Sequence, residues 1–193
     1  DGLLQAFCIR WNPCLGIKVK RSRPEEMRFL SHDQVRTLAN TITPFFRLGI
    51  LVAAYCGPRS QEIWSLRVRD FDADMCTLKI ETVETDDDDE GLDENSLPKT
   101  GVYRSVQIPD ALITELTTWI GDKELGTNDL LFHSREGRPV NHNNFYKRHY
   151  KPALVKAELD PQTRFHDLRH TCAALYFDRG ASGEEVRQIL GHS

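Results

Sequence analysis

The stretch that decides the fold is TRFHDLRHTCAALYFDRGASGEEVRQILGHS, residues 163–193. Its apolar residues recur with a helical period, which predicts a helix over 164–179 that ends at Gly180. Ser182 begins a second, short helix, and Gly191 closes that helix. The pattern therefore aligns His166 with Arg169 on one helical face and places His192 just beyond a helix end.

Three helices are predicted in the first part of the chain, before the period of the apolar residues changes. A capping box at Ser31 begins the first helix. The segment 43–57 is apolar on nearly all sides, which predicts a buried helix that ends at Gly57. In the short helix that follows, Arg59 and Glu62 share one face at i and i+3.

Two β-rich segments follow, CTLKIETVE (76–84) and VYRSVQIP (102–109). Their partial alternation predicts a small antiparallel sheet with an enlarged turn, and Lys99 stands just before its second strand. Helices are predicted over 110–120 and 141–156. The fold class is therefore α+β, mainly helical, with a small antiparallel β-sheet.

The formal net charge of −4 misrepresents most of the chain. Seven acidic residues fall within the nine positions 86–94, and setting them aside leaves 22 of the 29 acids against 25 Lys and Arg. The body is thus mildly basic, which suits a partner that carries phosphates. We interpret the acidic block as a solvated loop, with a dedicated interaction element as the alternative.

Several classes of protein are disfavoured. No apolar run approaches the roughly 18 to 20 residues that span a bilayer, and the first residues lack the features of a signal peptide, so a cytoplasmic protein is expected. The five cysteines are scattered and form no CxxC pair, which predicts neither disulfides nor zinc. His166 and His170 have a spacing that could bind zinc, but Arg169 lies between them and no third ligand has a recognisable spacing. We predict no metal.

Four short stretches of the chain each carry an arginine, lysine or histidine at a notable position. They are AAYCGPRSQEIWSLRVRDFD, PKTGVYRSVQIP, FHDLRHTCAALYFDRG and VRQILGHS. Each stretch alone is weak evidence of function. Together, their order, spacing and local structure resemble the catalytic domain of the tyrosine recombinases, the family of bacteriophage integrases and related site-specific recombinases. The resemblance runs from about Arg28 to Ser193.

The resemblance implies a catalytic set supported by one acidic residue. The set is Arg59, Lys99, His166, Arg169 and His192, with Glu62 behind it. The two arginines suit a phosphate clamp, because a guanidinium donates two hydrogen bonds in a fixed plane and stays charged. Glu62 would orient the Arg59 or His166 side of the site.

The other members of the set would handle protons. Lys99 would act as general acid toward the leaving 5′ oxygen, and His192 would donate to a non-bridging oxygen. His166 would assist proton movement at the nucleophile or hydrogen-bond the phosphate. We expect Asp167 and His170 to point elsewhere on the helix and make structural hydrogen bonds. Arg104 is nearby but lies on the strand.

The implied function is site-specific DNA recombination in phage or mobile-element integration. Such an enzyme cleaves and rejoins DNA through a 3′-phosphotyrosyl intermediate, which conserves the energy of the broken bond and needs no cofactor. The implied partners are double-stranded DNA and, on DNA, three further copies in a homotetramer. As an isolated fragment the chain is expected to be a monomer.

The nucleophile and the domain limits are further expectations. The family's tyrosine lies shortly beyond the histidine of the LGH motif, and the tyrosines present here fall within predicted helices or the strand, so we expect a fragment without its nucleophile. Residues 1–24 read as a basic linker behind a missing core-binding domain, and 25–193 as the catalytic domain. Four linker residues are candidate DNA contacts: Lys18, Lys20, Arg21 and Arg23.

Two other functions remain open at this point. A DNA-binding module without cleavage would use the same cations as phosphate contacts. A type IB topoisomerase-like strand transferase would share the phosphotyrosyl chemistry.

Overall fold

The structure is a computed structural model that describes residues 27–82, 102–134 and 137–191. Several sequence predictions lie outside these residues: Lys99, His192, the acidic block at 86–94, and the linker with Lys18, Lys20, Arg21 and Arg23. Within the described ranges, no helix is both long and apolar enough to cross a membrane.

The described chain is mainly helical with one small sheet. Its elements, in order, are α1 (His32–Thr41), α2 (Arg47–Cys56), α3 (Ser60–Ser65), β1 (Phe71–Asp72), β2 (Thr77–Thr82), β3 (Val102–Gln107), α4 (Asp110–Asp122), α5 (His142–Phe145), α6 (Lys151–Lys156), α7 (Asp167–Asp178) and α8 (Gly183–Leu190). Short 3₁₀ turns span Pro44–Phe46 and Val68–Asp70. The predicted fold class is confirmed.

Helices α1 and α2 form as their local signals predict. The Ser31 hydroxyl accepts the Gln34 amide at 3.3 Å, and the Gln34 side chain accepts the Ser31 amide at 2.9 Å, which completes the capping box. Helix α2 is buried along nearly its whole length and packs against α1 and α7. It ends at Gly57, whose φ of 64° is the left-handed conformation that favours glycine.

The sheet has the order β1-β2-β3, and both pairings are antiparallel. Leu78 faces Val106 across β2 and β3, and both are fully buried. The two predicted strands and their antiparallel pairing are confirmed. Strand β1 was not predicted, because two residues are too few to establish an alternation.

The single helix predicted over 141–156 is interrupted. A π-helical turn at Tyr146–Tyr150 separates α5 from α6. Buried Phe145 and Tyr150 are five residues apart, which fits the wider i→i+5 turn. The Tyr150 hydroxyl donates to the Arg164 carbonyl at 3.1 Å, which ties the π turn to the chain in front of α7.

Helix α7 begins three residues later than predicted, at Asp167. In front of it, the Asp167 and Leu168 amides donate to the carbonyls of Arg164 and Phe165 at 3.0 and 3.2 Å, an i→i+3 pattern tighter than an α-helix. The buried Asp167 carboxylate accepts the Arg164 amide at 2.7 Å. These bonds fix the turn that carries His166.

Candidate active site

Arg59 and Glu62 meet at the break between α2 and α3. The Glu62 carboxylate accepts the Arg59 amide at 2.7 Å and the Arg59 guanidinium at 3.1 Å. The Glu62 side chain is 1% exposed, whereas the Arg59 side chain remains 26% exposed. The predicted i, i+3 contact is confirmed, and it leaves the Arg59 guanidinium partly open to solvent.

A second arginine, for which the sequence predicts no role, reaches the same carboxylate. Arg104 on β3 donates from Nη1 and Nη2 to the two oxygens of Glu62, at 3.1 and 2.6 Å. Its Nε donates to the Ile189 carbonyl at 3.1 Å. A signal existed in the sequence: Arg104 shares a strand face with buried Val106, and a charge on a buried face requires a partner.

Arg169 connects the ends of two helices. Its guanidinium donates to the Gly57 carbonyl at 2.6 Å and to the Leu190 carbonyl at 2.5 Å. These carbonyls stand at the C-terminal ends of α2 and α8, which carry partial negative charge. Burial first, and then the charges of Arg104 and Arg59, lower the pKa of Arg169 to about 10, so the group stays charged near neutral pH.

Two glycines allow the chain to approach this centre closely. A Cβ on Gly57 would lie 2.7 Å from Leu190 Cδ2 and 3.0 Å from Cys172 Sγ. A Cβ on Gly191, whose φ is 69°, would lie 2.8 Å from Arg104 Cδ. A side chain at either position would force the contacted side chain, or α8 itself, to shift.

The charges at this centre are unequal. Two guanidinium groups, those of Arg59 and Arg104, interact with the carboxylate of Glu62. The charges of the same two arginines also act on the guanidinium of Arg169. Burial alone would raise the pKa of Glu62, but the hydrogen bond and charge of Arg104, followed by those of Arg59, outweigh it and lower that pKa. With Glu62 ionised, the group keeps an excess of positive charge that an anionic oxygen would complement.

His166 stands at the surface, one helical turn before Arg169. It is the N-cap residue of α7, and its carbonyl accepts the Arg169 amide at 2.9 Å. Partial desolvation, and then the charges of His170 and Arg169, lower the pKa of His166, which favours the neutral imidazole near pH 7. A neutral imidazole can accept a proton.

The two motif residues expected to point elsewhere behave differently. Asp167 is buried and bonds to the Arg164 amide and side chain, which agrees with a structural role. For His170 the expected direction was wrong, since its ring packs edge-on against the His166 ring with centroids 5.4 Å apart. The i, i+4 spacing places both rings on one face of the helical turn.

The structure thus brings together Arg59, Glu62 and Arg169, with His166 one turn away. Lys99 and His192 lie outside the described residues, so their roles stay predictions. The residue that precedes His192 does approach the centre, because Gly191 packs on Arg104 of β3. Among the described residues, no group of three His, Cys, Asp or Glu side chains is arranged to hold a metal ion.

All five tyrosines of the chain are in the described ranges, in α2, β3, the π turn and α7. None has a hydrogen bond or ring contact with Arg59, His166 or Arg169 there. Burial raises the pKa of Tyr150 above its usual range and that of Tyr176 to about 12. Both environments disfavour the phenolate form of these two side chains.

The chain matches known proteins over nearly its whole length. The sequence model of the Phage integrase family matches residues 28–193. A tyrosine recombinase XerC-like protein of Caldanaerobacter subterraneus subsp. tengcongensis is 26% identical over 212 residues, covering 94% of this chain and 53% of the relative. A tyrosine recombinase of Thermosipho africanus is 26% identical over 186 residues, covering 94% and 59%.

A solved structure has the same fold. The integrase of transposon Tn1549, in complex with transposon right-end DNA, aligns with a TM-score of 0.71 at 18% identity, covering 96% of this chain and 65% of that one. The chain spans little more than half the length of the two curated relatives. Because the family model matches well over half of the chain, the chain belongs to the Phage integrase family.

Proposed function

We propose that the protein is a site-specific DNA recombinase of the integrase type, and that residues 25–193 are its catalytic domain. The observation that carries the proposal is the cluster of three arginines in a chain of the Phage integrase family: Arg59 and Arg104 share the Glu62 carboxylate, and their charges act on Arg169. Residues 1–24 would be the basic linker to a core-binding domain. The site would act in phage or mobile-element integration.

The chemistry follows from the positions of the arginines and His166. Attack on a DNA phosphodiester by a tyrosine hydroxyl builds charge on the non-bridging oxygens, which guanidinium groups stabilise best when they are held in place beforehand. Arg59 keeps an exposed part that can reach such an oxygen, and Glu62 holds it. His166, favoured as the neutral form, would accept the tyrosine proton.

Two predicted groups complete this reaction. Lys99 would protonate the leaving 5′ oxygen, and His192 would donate to a non-bridging oxygen. The 3′-phosphotyrosyl bond would then conserve the energy of the broken link, so rejoining would need no cofactor. The nucleophile would be a tyrosine of the full-length protein other than the five discussed above.

The proposed partner is double-stranded DNA. The transposon integrase with the same fold is in complex with transposon DNA. We further propose a homotetramer on DNA, a monomer for the isolated domain, and backbone contacts from Lys18, Lys20, Arg21 and Arg23. Neutral replacement of one of these cations should reduce the salt dependence of DNA binding by a slope of about one.

The test is covalent capture. The full-length protein is incubated with DNA carrying its own recombination site and a nick that prevents religation, and a denaturation-resistant adduct is sought. Mass spectrometry should locate the DNA on a tyrosine. Arg59→Ala should reduce adduct formation by about a hundredfold or more. Arg187→Ala is the control and should not reduce it, because Arg187 pairs with a glutamate at the same i, i+3 spacing but on the exposed surface of α8.

The other outcomes identify the other functions. Salt-dependent DNA binding without an adduct from the wild-type protein would contradict the proposal and indicate a non-cleaving DNA-binding module. Relaxation of supercoiled DNA without sequence preference would indicate a type IB topoisomerase-like activity.

A further inference from the structure

Each oxygen of the Glu62 carboxylate is shared by two arginines. Oε1 accepts from Nη1 of Arg59 and from Nη1 of Arg104, both at 3.1 Å. Oε2 accepts from the Arg59 amide at 2.7 Å and from Nη2 of Arg104 at 2.6 Å. The plane of the carboxylate is therefore set jointly, and it cannot rotate toward Arg59 without losing bonds to Arg104.

We propose that Arg104 is a positioning residue for DNA cleavage, acting through Glu62 on Arg59 and through the end of α8. The inference rests on the proposed function, because the step that it serves is the attack at the DNA phosphate. Arg104 itself is only 8% exposed and would not touch the substrate. Its effect would be to hold the partly exposed Arg59 guanidinium in the orientation that meets a non-bridging oxygen.

The second contact of Arg104 reaches α8. Its Nε donates to the Ile189 carbonyl, and Arg169 donates to the next carbonyl, that of Leu190. Two arginines from different elements thus hold consecutive carbonyls at one helix end. Gly191 packs directly on the Arg104 side chain, and His192 is the next residue. The side chain of Arg104 on β3 therefore links α3 to α8.

Only arginine has the geometry for this connection. Its planar group presents five N–H donors in a fixed fork, and here Nη1, Nη2 and Nε each bond to a different acceptor atom. A lysine at 104 keeps the charge but has one nitrogen, which cannot span both carboxylate oxygens and the α8 carbonyl. Arg104→Lys therefore removes the geometry while it preserves the charge balance.

A purely structural ion pair would not need this arrangement. Glu62 already has a partner at the start of its own helix, the N-cap residue Arg59. Apolar side chains of similar volume also often stabilise a buried position as well as an ion pair does. What the second arginine adds is a fixed carboxylate plane under a guanidinium that remains partly exposed. Such an arrangement is expected where a guanidinium group must keep one orientation toward its ligand.

The test compares Arg104→Lys with Arg47→Lys in the full-length protein. Arg47 also donates through both Nη atoms to a glutamate, Glu115, but it stands at the start of α2, about 15 Å from the end that leads to Arg59. Adduct formation is measured at saturating DNA, on the nicked substrate described above. Arg104→Lys should slow it by about tenfold or more, since small misplacements are costly. The Kd for DNA should stay unchanged, and Arg47→Lys should cleave like the wild type.

A second substrate separates positioning from general damage. A methylphosphonate at the scissile position replaces one charged oxygen by a neutral methyl group, so it needs less help from a cation such as Arg59. The loss caused by Arg104→Lys should then shrink severalfold relative to the phosphate substrate. An equal loss on both substrates, or cleavage by Arg104→Lys at the wild-type rate, would overturn the inference.

Two further outcomes keep the result interpretable. If Arg104→Lys is unfolded at the assay temperature, Arg104→Gln replaces it, because the amide keeps one donor toward Glu62. If the wild-type protein forms no adduct, the proposed function itself fails and the inference fails with it. An adduct from the wild type with no effect of either variant would refute only the role of Arg104.

Discussion

Two glutamate–arginine pairs with the same spacing have opposite environments. In α3, Glu62 is almost fully buried and a second arginine shares its carboxylate. In α8, Glu184 and Arg187 are 60% and 53% exposed, at an N–O distance of 3.2 Å. The same i, i+3 chemistry therefore yields a fixed junction in one place and a solvated surface pair in the other, and burial decides which.

The largest effect is expected when the carboxylate charge of each pair is removed, because the buried pair should lose much stability and the exposed pair very little. Glu62→Gln leaves two arginines facing a neutral amide in a dehydrated place, which should lower the free energy of unfolding by about 3–5 kcal/mol. Urea unfolding followed by circular dichroism measures it. Glu184→Gln is the matched control and should leave the urea midpoint unchanged, as exposed pairs contribute little. Equal midpoints for the two variants would contradict the comparison.

A second contrast concerns the glycines that end helices. Gly57 and Gly180 both have positive φ, but a Cβ on Gly57 would meet Leu190, whereas a Cβ on Gly180 would meet nothing within 4 Å. Gly180→Ala should cost about 1–2 kcal/mol of backbone strain. Gly57→Ala should cost a further ~1–3 kcal/mol from overpacking. Similar thermal midpoints for the two variants would mean that α8 moves aside freely.

Acid should remove the stability that the buried pair contributes to the fold. The folded state lowers the pKa of Glu62, so its contribution to stability is present above the unfolded pKa and is lost as the pH falls from there through the folded pKa. Unfolding free energies measured across that acid range should fall for the wild-type protein and fall less for Glu62→Gln. Glu184→Gln should keep the steep acid dependence.

The smallest effect is expected for the exposed ion pair of α8. Arg187→Ala removes an ion pair that water and salt already screen, so the melting temperature should stay the same at low and at high salt. Differential scanning calorimetry in the two buffers measures it. A salt-sensitive loss of stability would show that the α8 pair contributes more than its exposure indicates.

The sequence predicts those parts of the molecule that depend on neighbours in the chain. The caps at Ser31 and Ser182 and the stop at Gly57 involve residues within one turn, so their side-chain chemistry identifies them. The contact of Arg59 with Glu62 is local for the same reason. The structure confirms these local features, together with the antiparallel pairing of β2 and β3.

The remainder depends on pairings between distant residues. Arg104 lies 42 positions from Glu62, and Arg169 lies 112 positions from Gly57. No local pattern specifies that a strand arginine will reach a helix glutamate, or that a motif arginine will bond two backbone carbonyls. Both follow only from the packing of α2, α3, α7, α8 and β3 around a common centre.

The π turn at Tyr146–Tyr150 has a consequence for comparisons between homologous sequences. A π turn contains one residue more than the α turn that it replaces, and the surplus residue is absorbed without rotating the flanking helices. A relative that lacks one residue there can keep Phe145 and Leu154 facing the interior. Alignments of this region should therefore permit a one-residue gap inside what otherwise looks like continuous helix.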